Sequence, residues 1–290
     1  MSLSNLTTTF RDQAAANNGN ITINAATFST SQLTPPENLD ELLSKGYQLA
    51  EGTFLLIDTS ETSIPDPAGN TLTISNAKAN ILNVEKTNTD VILKVVVNEK
   101  GEAQFTIQIA LSDWTFKTSW EYMTGGVFDG LPYTSPAFVF STEQKDNFKW
   151  QNSDIPLVEG QNFSAMITLT NWLADVVDFL TSWSVSTKLP LTGMLDPSKV
   201  DNEQYLYPDM DLIVPIDVTP ISLLFLEVSD PAVGFKIESV EETTEEDSEP
   251  ITEVQQTPLL YFQLQLHLGE NIQMDFTTSI APKTNTFDIA

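Results

Sequence analysis

The chain contains no cysteine, one histidine and one arginine in 290 residues. Without cysteine there are no disulfide staples, thiolate metal sites or cysteine nucleophiles. Any histidine-based triad would have to use His267, and zinc, which takes three or four His, Cys or carboxylate ligands, finds too few of the first two. The 13 basic residues, of which only Arg11 is an arginine, face 40 acidic ones, for a formal charge of −27. Phosphate recognition relies on Arg forks and clustered Lys, so this composition speaks against nucleic acid as a partner. An anionic membrane surface is a poor partner for the same reason, although salt screens that repulsion. The sequence has no phosphate-cradling glycine loop, Gly-x-Ser-x-Gly elbow or dinucleotide fingerprint. No stretch approaches the ~20 apolar residues of a membrane-spanning helix. Residues 1–6 show neither a basic n-region nor an apolar h-region. An extracellular location, which we favour, would therefore need a route other than a leader in that segment.

What the chain does have is bulk and repetition. Its 16 Phe, 6 Tyr and 5 Trp are more than a disordered chain carries. The segment 105–114, Phe-Thr-Ile-Gln-Ile-Ala-Leu-Ser-Asp-Trp, recurs without a gap as Phe-Ser-Ala-Met-Ile-Thr-Leu-Thr-Asn-Trp at 163–172. Leu131-Pro132 and Leu189-Pro190 follow at the same distance from each tryptophan. A second echo relates Leu131…Pro136-Ala137…Phe140 to Leu226…Pro231-Ala232…Phe235. Such repeats mark supersecondary units that bury an apolar face against their neighbours. In both copies of the first repeat alternate residues are apolar, as in a half-buried strand: Phe105, Ile107, Ile109 and Leu111, then Phe163, Ala165, Ile167 and Leu169. Proline in a strand predicts an edge or a strand start, so each Pro-Ala is expected where an edge strand enters a sheet.

Along the chain, residues 14–20 read as a frayed helix end or loop and 21–28 as a strand. A short helix runs through Leu39, Leu42 and Leu43, with Gly46 at its left-handed cap. Strands are expected at 53–57, 71–74 and 79–84, and the clearest hairpin joins 91–97 to 102–111 through Asn98-Glu99-Lys100-Gly101. Trp172, Leu173, Val176, Val177, Leu180 and Trp183 are spaced for a helix that presents Asp175 and Asp178 to solvent. Further strands are expected at 211–218, 221–228, 233–240, 259–268 and 272–280. The acidic block at 241–250 predicts a solvated loop at a hairpin tip. Together these features predict a mainly β protein. It is expected to have layered antiparallel, sandwich-like sheets built from diverged internal repeats, with one or two short helices. The division is into a β-rich N-terminal segment with a short helix (1–85), continuous with or separate from the rest, and a repeat-containing β domain (86–290).

Chemistry is sparse. Calcium is the one metal with candidate ligands, at Asp209, Asp211, Asp201 and Glu203, and at the turn Asp66-Pro67-Ala68-Gly69-Asn70; none completes a loop motif. Trp114 and Trp172 hold equivalent places in the repeat, which assigns them to packing. Trp120 and Trp150 have no counterpart, which makes them the candidates for partner contact. Asn5, Asn20 and Asn162 match the N-glycosylation pattern. No catalytic residue, cofactor site or organic cofactor is indicated. The sequence points first to a non-enzymatic binding or scaffold module, part of an extracellular or delivered assembly, with a protein or glycan partner. The alternatives are an oligomerising toxin acting on membranes through strands such as 163–170 and 261–268, and a glycan hydrolase working with two carboxylates alone.

Overall fold

The structure, a computed structural model, describes residues 3–120, 133–150, 153–168, 188–196, 209–215, 221–223, 226–246, 249–268, 272–281 and 286–289. The N-terminal part consists of helix α1 (Leu3–Ala16), strand β1 (Asn20–Ile23), helices α2 (Ala25–Thr30) and α3 (Leu39–Tyr47), and strand β2 (Leu55–Asp58). Then come β3 (Thr71–Ala77), β4 (Thr89–Val97), β5 (Ala103–Leu111), the four-residue helix α4 (Phe116–Ser119) and β6 (Tyr133–Ser141). A hairpin of β7 (Lys145–Trp150) and β8 (Ser153–Leu157) precedes β9 (Gly160–Thr168), β10 (Lys188–Asp196) and β11 (Asp209–Pro215). The chain closes with β12 (Ile221–Leu223), β13 (Leu226–Glu246), β14 (Glu249–Leu268), β15 (Ile272–Ala281) and β16 (Thr286–Ile289).

Twelve of these strands form one sheet in the order β16-β15-β14-β13-β11-β10-β9-β6-β5-β4-β3, with β12 beside β13. All its pairings are antiparallel. The protein is thus mainly β, with antiparallel sheets in layers and few short helices. One face of the sheet buries Leu72, Leu93, Phe105, Phe138, Phe163 and Leu191 in a core that also takes Leu6 and Phe10 of α1 and Tyr47 of α3. On the other face Ala137 and Val139 of β6 pack under the β7–β8 hairpin, against Trp150, Ile155 and Leu157. Alternation in β4 and β5 feeds the first face, because a strand turns successive side chains to opposite sides.

Several expectations change once the chain is folded. The N-terminal segment contains three helices. Leu3, Leu6, Thr7 and Phe10 line the buried side of α1 at helical spacing. The expected strand at 21–28 stops at Ile23, because the Asn24 Oδ1 accepts a 2.8 Å bond from the Thr27 N–H and caps α2. Gly46 lies inside α3, and Gln48 takes the left-handed cap. Gly46 packs against Phe140 and Gln161, where a methyl would still make ordinary contact at 3.5 and 3.4 Å. Residues 79–84 do not form a strand. Ile81 and Val84 exchange both backbone hydrogen bonds around left-handed Leu82 and Asn83, a two-residue tight turn.

The repeat is seen as strands. Its two copies, β5 and β9, flank β6 and bury their alternate apolar residues in the same core. Equivalent residues Ile109 and Ile167 face Phe138 and Leu189, and Phe138 lies seven residues beyond Leu131, the repeat partner of Leu189. Leu131 and Pro132 themselves lie outside the described residues. The Pro-Ala pairs do not lie on edge strands. Pro136 falls in a register break of β6 between Thr134 and Ala137, and Pro231 in one of β13 between Ser229 and Ala232. A bulge leaves one backbone N–H out of the ladder, so it accommodates a proline within an interior strand. The helix expected at 172–183 lies outside the described residues.

The acidic block also differs from expectation. β13 has 21 residues and β14 has 20, and they pair with each other from Leu226↔Leu268 to Glu246↔Glu249. β11 reaches only as far as Lys236 on β13, and β15 only as far as Leu260 on β14. Among the described residues, Ile237–Glu246 and 249–259 therefore pair only with each other, over about 33 Å at ~3.3 Å per residue. The described part of the block, Glu241–Glu246 and Glu249–Pro250, is paired strand, and residues 247–248 lie outside the described residues.

Candidate binding groove

The outward face of β4 and β5 is set by three cross-strand pairs: Ile92 with Gln108, Lys94 with Thr106, and Val96 with Gln104. Their neighbours Leu93, Ile107, Val95 and Phe105 point into the core, so this mixed outward row follows directly from the period of two. The β7–β8 hairpin stands beside it and brings Lys145, Asn147, Phe148 and Lys149 over the floor. A register break between Lys145 and Phe148 lets β7 turn there. The result is a groove of about 430 Å³, within the range of small-ligand sites.

Its charge is opposite to that of the protein. Three lysines and one glutamate line the groove, in a chain whose net charge is −27. Lys145 is paired with Glu143, and Lys149 reaches Asp154 Oδ2 at 2.5 Å. The Lys149 side chain is still 81% exposed and open to a ligand. Lys94 sits on the floor, flanked in register by Thr106 on β5 and Thr73 on β3. Gln104, Gln108 and Asn147 add amides that both donate and accept, and Phe148 supplies an apolar surface. Such a lining can hold a carboxylate, sulfate or sugar-acid group by charge and orient it by amide hydrogen bonds.

The two tryptophans expected to contact a partner are buried: Trp120 is 2% and Trp150 is 1% exposed. Trp120 stacks on Phe116, in an aromatic cluster with Phe138. Trp150 anchors the hairpin to Val139, so it builds the groove wall from behind. Trp114, assigned to packing, lies in the same aromatic cluster and donates from Nε1 to Ser119 Oγ at 2.9 Å. Trp172, Trp183, Asp175 and Asp178 lie outside the described residues.

Of the calcium candidates, Asp211 accepts a 2.7 Å hydrogen bond from the Tyr261 hydroxyl. The Tyr261 ring, on β14, crosses β13 over Gly234, where a Cβ would overlap it, and so ties three strands together. Burial, then the Asp211 carboxylate, pushes the Tyr261 hydroxyl pKa up. Asp209 stands opposite Asp196 in the ladder, and Asp201 and Glu203 lie outside the described residues. Asp66 is 3.0 Å from Arg11. Among the described residues no three metal-ligating side chains gather. His267 Nε2 lies 3.2 Å from Ser229 Oγ, and Ser229 is buried beside the β13 bulge. Asn162 is buried too: its Nδ2 donates to the carbonyls of Val139, Val158 and Gly160 and its Oδ1 accepts from the Val158 N–H. It stitches the turn into β9 and offers no surface for a glycan.

Sequence reasoning did not find the groove. Its signal was present in part, since Lys94 interrupts an otherwise apolar run at an outward position. No family model, curated protein or solved structure matches the chain.

Proposed function

We propose that the protein is a non-enzymatic binding or scaffold module whose groove between β4–β5 and the β7–β8 hairpin receives an anionic partner. One observation carries this reading: the groove is net positive in a protein of net charge −27. A surface repelled by anions elsewhere would admit them here, which confers selectivity as well as attraction. Each exposed lysine–carboxylate contact is worth roughly 0.2–1 kcal/mol, so affinity would come from several contacts made together. The toxin reading draws less support. Phe163, Ala165 and Ile167, in the alternating stretch it would use, are buried in the core of an interior strand.

The test is calorimetric titration with polygalacturonate and poly-glutamate as anionic probes, against neutral dextran. Salt-sensitive binding of an anionic probe, weakened about tenfold or more by Lys94→Glu with Lys149→Glu, is expected. Failure of both anionic probes to bind at low salt, or binding indifferent to the two substitutions, would overturn the reading.

A further inference from the structure

The wall of the groove is a strand with one side unused. Among the described residues β7 pairs with β8 alone, and no loop backbone bonds to residues 145–149. An antiparallel strand directs its N–H and C=O groups alternately to its two sides, so part of the β7 backbone is left facing away from β8. Where that edge faces follows from the packing. β8 approaches β10, Ala137 and Val139 of β6 lie under the hairpin, and the strand order runs β10-β9-β6-β5-β4. β7 is therefore on the β5 side of its partner, and its free edge runs along the groove over β5 and β4. Phe148 and Trp150 turn toward the sheet, and Lys149 between them projects from the opposite face.

We propose that this edge takes an extended acidic segment of a partner protein as a third strand, so that the anionic partner of the groove is a polypeptide. The inference rests on the groove reading above and names the partner's class. A strand added about 4.8 Å from β7 would lie about 10 Å above the β4–β5 face, the ordinary spacing of stacked sheets. Its backbone would bond the open groups of β7, and its alternate side chains would turn down to Lys94 and up beside Lys149. Ile92, Val96 and Phe148 would cover apolar side chains set among the acidic ones. Charge decides which strand is admitted. Lysines and a register break on an edge guard it against pairing with a neutral strand, and β7 has both. Toward an acidic segment the same lysines are attractive, so the guard also selects. Asp146, the one carboxylate of β7, is exposed and does not line the groove; Glu143 does, paired with Lys145. An acidic polysaccharide would meet the lysines but has no strand backbone to offer the edge.

Calorimetric titration of the full chain at low salt tests this with the peptide Glu-Val-Glu-Val-Glu-Val-Glu, capped at both ends. Two further peptides carry the same charge, one N-methylated at its valines and one at its glutamates. Only one edge of an added strand bonds to β7, so one methylated peptide should bind at least tenfold more weakly while the other binds like the parent. Lys94→Glu with Lys149→Glu should weaken the parent peptide at least tenfold, and hydrogen exchange at 145–149 should slow when it binds. Binding that responds equally to the two methylations, or leaves exchange at 145–149 unchanged, overturns strand addition while the groove reading stands. Binding of oligogalacturonate without the parent peptide has the same meaning. If no anionic probe binds, both fall.

Discussion

Asp58, at the end of β2, is held by Lys86 Nζ at 2.8 Å and by the Ser60 N–H at 2.9 Å. The Lys86 hydrogen bond, followed by those from Ser60, lowers its pKa from 3.8 to about 2. A carboxyl whose folded pKa is depressed contributes stability above its unfolded value and loses it as pH falls through the folded one. Asp58→Asn is therefore expected to lower stability by about 1 kcal/mol at neutral pH, a figure kept small because Lys86 is half solvated. The difference from the parent should shrink between about pH 4 and pH 2. Urea midpoints of both proteins across that window check it, and a constant difference would contradict it. Gly19 constrains the same corner: its φ of +89° suits glycine, and a Cβ there would lie 2.6 Å from that of Ser60. These residues work through local geometry, and apart from Ser60 beside Asp58 their partners are distant in sequence.

At the scale of elements, the β7–β8 hairpin is the part on which the groove depends. It has two short strands and is tied down by Trp150, Ile155 and Leu157. A lone two-stranded hairpin is marginal in water, so its order comes from this packing. Trp150→Ala removes the largest anchor and should cost about 3–5 kcal/mol, taken mainly from the hairpin's hold on the sheet. Hydrogen exchange should quicken across residues 145–157 while β4 and β5 stay protected, and anionic-probe binding should fall with it. Equal quickening throughout the sheet would mean that the hairpin is integral to global folding. The hairpin at 91–111 was legible because β-branched runs and a Gly-containing turn act locally. The prolines were misplaced because a bulge depends on the neighbouring strand, which lies far away in sequence: Pro136 faces β9, and Pro231 faces β14.

On the scale of the whole molecule, the N-terminal segment is part of the main core. Leu6, Phe10, Phe28, Leu43 and Tyr47 lie in the same buried cluster as Leu72, Phe105 and Phe163. The Phe28 and Phe105 rings stack at 5.3 Å, and Tyr47 packs on Phe140 at 6.0 Å. Deleting residues 3–66 would bare the apolar face of β3, β4, β5, β6 and β9. The shortened chain is expected to be insoluble, or to bind a hydrophobic dye without a cooperative melt. A soluble product melting in one transition would show instead that 67–290 folds alone.

The sequence by itself determined the class of the fold: alternation, turn residues and a repeated strand are local signals, and they specify antiparallel strands wherever the chain places them. It also determined the charge, and with it the partners the surface as a whole would repel. Only the tertiary structure decided that Trp120 and Trp150 are inside and that the acidic block is paired strand. It alone brought Lys94 of β4 together with Lys145 and Lys149 of β7. Burial, register and charge convergence depend on which distant segments become neighbours, and that is settled by the packing of one sheet face on the N-terminal layer and of the other on a small hairpin.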